Sequence, residues 1–183
     1  IILTYSLVIF GTFLTRSGVL SSVHAFAQSA IGPLFFVFVG LTFVTSLALL
    51  LHRWNDLKAE GTMTSMLSRE ALFLLNNLLF LGILVICFWG VIFPLVSELF
   101  TGQKVTVGPP FYERATGPLF AGLLLLMGVA PLAAWRHSTA KTLGKAIWKP
   151  FLASLLVLGL VLFLGIRQIA AIIGMWLSAF VVF

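Results

Sequence analysis

Between Gly32 and Leu51 the chain carries no charged side chain, and almost every residue is apolar. A helix of about 20 residues is what it takes to cross the ~30 Å hydrocarbon core of a bilayer. Runs of this kind recur from Ala71 to Ser97, from Ala115 to Trp135 and, a little short, from Pro150 to Ile166. Shorter ones occupy Ile1 to Thr15 and Gln168 to Phe183. No soluble core could bury so much apolar surface, whereas a lipid solvent lets it face outward. Strands with alternating polar and apolar residues are missing, which argues against an outer-membrane barrel. The expected fold is therefore all-α, a polytopic transmembrane helical bundle of about six spans over residues 1–183. The two terminal runs read as cut from a longer membrane protein, with no signal peptide at the start.

Of the 183 residues, 61% are hydrophobic and 9% charged, against roughly a quarter charged in ordinary soluble domains. The net charge of +6 does not indicate nucleic acid, because the basic residues fall between apolar blocks and not in a patch with interleaved aromatics. They read instead as flanks of membrane spans. Arg53, Lys58, Arg69, Arg136, Lys141, Lys145 and Lys149 fall on one side; Arg16, Lys104, Arg114 and Arg167 fall on the other. The richer side is expected to face the cytoplasm. That places 16–31 and 98–114 outside, the periplasmic side of a bacterial inner membrane. Pro33 and Pro150 suit the first turn of a helix, where a missing N–H costs nothing. Pro94 and Pro131 should kink or end their spans. Cys87, the only cysteine, reads as a small buried hydrophobe. Asn76 and Asn77 are expected to hydrogen-bond to a neighbouring helix. No apolar run holds an Asp, Glu, Lys or Arg, which weighs against an ion-coupled transporter.

The stretch RSGVLSSVHAFAQ, Arg16 to Gln28, is the most informative segment. At a helical period Val19, Leu20, Val23, Phe26 and Ala27 share one arc, and Ser17, Ser21, Ser22 and Gln28 lie off it. This is the pattern of a short helix in the membrane interface, with His24 at the seam. A porphyrin wants an apolar floor, its propionates want water or cations, and imidazole can ligate iron through one nitrogen while the other orients the ring. His24 thus suits a heme axial ligand and Arg16 a propionate partner, although a lone histidine at such a seam also suits a plain amphipathic surface. His52 and His137 each sit beside an arginine at the opposite membrane face and read as interface residues. In the outer loop TGQKVTVGPPFYERATGP, the proline pair should hold an extended backbone, with Phe111 and Tyr112 as an aromatic anchor.

Two long stretches resemble a known family. GTFLTRSGVLSSVHAFAQS and SREALFLLNNLLFLGILVICFWGVIFPLVSELFTGQKVTVGPPFYERATGP are similar to the CcmF family of cytochrome c maturation, with NrfE-type paralogues, and the likeness covers nearly the whole chain. The resemblance implies a component of a heme lyase. Such a component takes heme from the chaperone CcmE and, with CcmH-type thiol partners, attaches it to apocytochrome c through thioether bonds. It also implies that His24 corresponds to the periplasmic heme-ligating histidine that follows the family's tryptophan-rich motif. A second, integral b-type heme would be ligated outside this chain, and the piece alone would be inactive. The alternatives are a membrane transporter of heme or another small ligand, and a non-catalytic docking subunit with His24 incidental.

Overall fold

The computed structural model describes residues 2–16, 31–57, 65–135 and 138–183. Among these the regular structure is entirely helical. Its elements are α1 (Ile2–Arg16), α2 (Ile31–His52), α3 (Arg69–Thr101), α4 (Pro109–Val129) continued by a 3-10 turn at Ala130–Leu132, α5 (Ala140–Phe163) and α6 (Ile169–Val182). Four stretches are long and apolar enough to cross a membrane: Gly32–His52, Arg69–Thr101, Pro109–Leu132 and Ala140–Phe163. Ile2–Arg16 and Ile169–Val182 are apolar but shorter. The chain is thus an all-α, multi-pass membrane protein. The interfacial helix expected over 16–31 lies outside the described residues beyond Arg16 and Ile31.

The chain divides into two compact units, Ile1–Gly61 and Thr62–Phe183. In the first, α1 packs on α2, with the Phe13 and Phe36 rings 5.6 Å apart. Thr12 and Thr15 turn their hydroxyls back onto the carbonyls of Val8 and Thr12, so neither needs an outside acceptor in an apolar setting. α2 is apolar on all sides, and none of its most apolar stretch is buried, as befits a helix facing lipid.

In the second unit α3 and α4 form an antiparallel pair whose register holds from end to end. Arg69 meets the 131–134 turn, Leu79 meets Gly122, Leu119 meets Gly82, and Tyr112 meets Gly90. At the far end the Val105 N–H donates to Ser97 Oγ at 3.0 Å. The glycines are notches for the facing side chains. A Cβ on Gly90 would lie 2.6 Å from Tyr112 Cζ, and one on Gly128 of α4 would lie 2.5 Å from the Phe180 ring of α6. Small residues at such crossings let backbones approach, which is how helices associate without a hydrophobic drive between them. α6 packs in turn on α5, where Trp176 Nε1 donates to the fully buried Ser154 Oγ at 3.0 Å. Phe151 packs edge-on against the same indole. The helices therefore follow one another in space as α3, α4, α6, α5. The tight hairpin expected around Arg167 is the α5–α6 connection, turned by Gly165 at φ +78°.

Four expectations change. Pro150 does not open a helix: α5 begins ten residues earlier, where Thr139 and Thr142 form a reciprocal cap. Pro109 and Pro110 do not hold an extended loop but form the first turn of α4, where their missing N–H groups would have been unpaired anyway. Cys87 is exposed on α3, the face a bilayer would cover. Asn77 is exposed and Asn76 half-buried, and neither amide bonds to another described residue. Pro94 does not end α3, which runs on to Thr101, whereas Pro131 does lie in the turn that ends α4.

Substituting Trp176 by Phe keeps the apolar bulk and removes the bond to Ser154. It should lower thermal stability in detergent by about 1 kcal/mol, the usual net worth of such a bond. Gly128→Val forces its branched side chain into the Phe180 ring and should cost more than that, read by the same melt.

Candidate functional site

Arg16 closes α1 as the basic residue of its last turn, a favourable place beside the unpaired carbonyls of a helix end. Its side chain is exposed. Phe13, one turn earlier, meets Phe36, one turn into α2. That contact puts the end of α1 and the start of α2 at the same end of the pair. Residues 17–30, which include His24 and lie outside the described residues, thus leave and return at one end. His52 closes α2 at the other, ~30 Å away along a helix of 22 residues. It is exposed and cannot join a site at the Arg16 end. His137, like His24, lies outside the described residues.

Among the described residues no group of three or more His, Cys, Asp or Glu could hold a metal ion. A heme iron asks for less, one or two axial side chains, but the described residues do not supply them: His52 stands alone at its helix end. Two grooves among the described residues are lined without His, Asp, Glu, Lys or Arg. One of about 660 Å³ along α5 and α6 is lined by Val157, Val161, Met175 and Phe183. Another, of about 450 Å³ between α1 and α2, is lined by Tyr5, Phe38, Thr42 and Thr45.

Charged side chains mark where the second unit can meet water. Glu113 and Arg114 sit near the start of α4, level with the Gly90 region of α3. α4 and α6 run parallel through the Gly128–Phe180 contact, and equal lengths of helix traced back from it bring Arg167 to the same level. One hydrocarbon thickness away, ~20 residues, lie Arg69 on α3, Trp135 beyond α4 and about Lys145 on α5. All four helices thus fit one slab. Trp135 and Trp148 are exposed at one rim, and Phe111 and Tyr112 lie at the other, the usual place for aromatic side chains. α3, at 33 residues or ~50 Å, runs some 18 Å past the Glu113–Arg114 rim, and Leu99 and Phe100 there are each 81% exposed.

At the Arg69 rim the chain answers a specific difficulty. Pro131 halts α4 and leaves carbonyls without helical donors. Arg69 supplies them: Nε donates to Ala133 O at 3.1 Å, a terminal guanidinium nitrogen to Pro131 O at 2.6 Å, and the backbone N–H to Ala134 O at 3.1 Å. Ser65 Oγ donates to Ser138 O at 3.1 Å, fastening the same junction. The sequence showed Arg69 only as a flanking charge; Pro131 ending an apolar run, with an arginine opening the preceding one, is the pattern that could have suggested the clamp.

The comparisons bear on the whole chain. It is 37% identical over 162 residues to the cytochrome c-type biogenesis protein ccl1 of Rhodobacter capsulatus, covering 87% of this chain and 24% of that protein. It is 32% identical over 154 residues to the cytochrome c-type biogenesis protein CcmF of Escherichia coli, covering 84% of this chain and 24% of that protein. A probable cytochrome c-type biogenesis protein NrfE of the same organism is 41% identical over 128 residues, 69% of this chain and 22% of that protein. The chain spans about a quarter of the length of the curated relatives it matches. No family model and no solved structure matches it.

Single cysteines at Lys104 and Lys141, placed in a Cys87→Ala background, should react with an impermeant maleimide from opposite faces of sealed vesicles. Labelling of both from one face would contradict the slab. Arg69→Ala should destabilise by about 2–4 kcal/mol, because it strips charged donors from carbonyls at the membrane rim, and Arg69→Lys should recover only part of the loss.

Proposed function

Because the chain belongs to the cytochrome c-type biogenesis family of CcmF, CycK and NrfE proteins, we propose that it serves in the heme lyase step of cytochrome c maturation at a bacterial inner membrane. The observation that carries this reading is the likeness to cytochrome c-type biogenesis proteins over 87% of the chain. The substrate is heme handed over by a chaperone of the CcmE type, and the acceptor is an apocytochrome c presented with CcmH-type partners. His24 ligates the iron of this transient heme, and Arg16 pairs with a propionate. The exposed Arg16 at the end of α1, and the return of the chain to α2 at that same end, support the assignment.

In this reading the chain supplies position and no nucleophile. The two thiols come from the acceptor, and each adds its sulfur and its proton across one vinyl group of the heme. A ligand that fixes the porphyrin plane brings each vinyl within reach of its thiol, and orientation of this kind can supply much of a rate. The Arg16 cation also keeps the propionate edge turned toward water. The distribution of lysines and arginines supports an Arg16 end that faces the periplasm, where ligation takes place.

His24→Ala in the full-length protein should cut the yield of holo-cytochrome c by about tenfold or more, the scale on which metal sites respond to loss of a liganding or supporting group. Heme-stained protein and trapped holo-chaperone are the readouts. Arg16→Gln should give a milder loss, and His52→Ala should leave the yield unchanged. A normal yield from His24→Ala would refute the ligand role. A transporter reading would require heme to fail to reach the chaperone at all.

A further inference from the structure

The first ten residues of α5, Ala140 to Lys149, differ from the rest of the helix. Lys141, Lys145 and Lys149 recur at every fourth position, which sets them in a row on one face, ~6 Å apart and ~12 Å from end to end. All three are exposed. None pairs with a carboxylate among the described residues, and Glu70, which opens α3 at the same rim, does not reach them. Arg69 is spent on carbonyls. The row therefore holds cations with no protein counter-charge among the described residues.

Depth decides what can supply that charge. From Lys149 to the end of α5 the uncharged helix is only ~22 Å long, short of the ~30 Å core. With the far rim fixed near Arg167, the near hydrocarbon boundary falls at about Lys145. Lys149 then starts within acyl depth and Lys141 within the headgroup layer. An acidic soluble protein could meet Lys141 but not Lys149. A lysine rooted below the boundary extends its ammonium up to the phosphates. Trp148, half-exposed beside Lys149 with the ammonium 5.8 Å from its ring, is the aromatic partner expected at that depth.

We infer that the Lys141–Lys145–Lys149 face of α5 is a docking site for an anionic phospholipid, whose phosphate bridges the ammonium groups while its chains lie along the apolar part of α5. Zwitterionic lipid offers the same phosphate but brings its own cation, and so leaves the row uncompensated. The inference rests on the second unit alone and is independent of the heme reading.

The test uses the full-length protein, delipidated in detergent and mixed with equal amounts of phosphatidylglycerol and phosphatidylcholine, with retained lipid counted by native mass spectrometry. Wild type should prefer phosphatidylglycerol. Each Lys→Gln change in the row should weaken that preference by roughly fivefold, the contribution of one basic residue at an anionic surface, and K141Q/K145Q/K149Q should abolish it. The K141R/K145R/K149R variant should keep it, which separates loss of charge from loss of fold. Arg167→Gln, at the opposite rim and outside the row, should cost no more than one such step. Unchanged preference in the triple Gln variant, or loss of preference in the triple Arg variant, would overturn the inference. So would displacement of the lipid by inorganic phosphate alone, since that would mean the acyl chains take no part.

Discussion

A carbonyl left without a donor at the membrane rim costs free energy, and the turn that ends α4 bares more than one. Arg69 and Ser65 resolve this by donating to the 131–138 junction from the start of the neighbouring helix. The solution also sets geometry. Once Arg69 is bound to Pro131 and Ala133, α3 and α4 can pair in only one register, and every later contact follows: Leu79 in the Gly122 notch, Leu119 in the Gly82 notch, Tyr112 on Gly90. A shift by one turn would break the clamp and drive side chains into backbone. Through Gly128 and Phe180 the same register fixes α6, and through Ser154 and Trp176 it fixes α5. The common level of Glu113, Arg114 and Arg167 at one rim, and of Arg69 and Lys145 at the other, follows from that chain of contacts.

Cohesion thus comes from shape and from a few polar bonds, because apolar surface gains nothing by leaving lipid for protein. The exposed apolar side chains on α2 and α3 are ordinary under this rule, whereas they would signal aggregation in a water-soluble chain. Polar groups are the informative exceptions. Thr12, Thr15, Thr116 and Ser154 bond to carbonyls of their own helices. Ser6 Oγ is buried and meets no partner among the described residues, and the amides of Asn76 and Asn77 find none there either.

Much of the architecture was legible in the sequence, since run length and the absence of charge are direct consequences of the bilayer as solvent. The α5–α6 hairpin was legible for the same reason, and the end of α4 was legible from Pro131 itself. Proline was the weaker guide. Pro150 suggests a helix start because it opens an apolar run, but the start is decided by the Thr139 cap, which hydropathy does not register. Pro109 and Pro110 suggest an extended loop because they lie between apolar runs, yet the first turn of a helix is where a proline pair does least harm. Cys87 was placed inside on the strength of its neighbours, but in lipid an apolar neighbourhood does not distinguish inside from outside. Of the candidate site, Arg16 could be placed and His24 lies outside the described residues. The assignment of His24 came from a resemblance carried by long stretches of chain, because a single histidine at an amphipathic seam has several uses.

The apolar runs hold no Asp, Glu, Lys or Arg, so charged groups fall at their ends, and an end is useful only if it is positioned. The Phe13–Phe36 contact meets that need in the first unit by tying both anchors of the 17–30 segment to one place. A segment whose ends are held together gives up less freedom on gripping a ligand than one whose ends are free. A heme held by one histidine still rotates about the iron–nitrogen axis, so the second restraint must act at the porphyrin edge. An arginine at the end of α1 could apply that restraint without itself entering the coordination sphere. The division of labour proposed for His24 and Arg16 therefore asks little of the bundle beyond a fixed pair of helix ends, and α1 and α2 supply that.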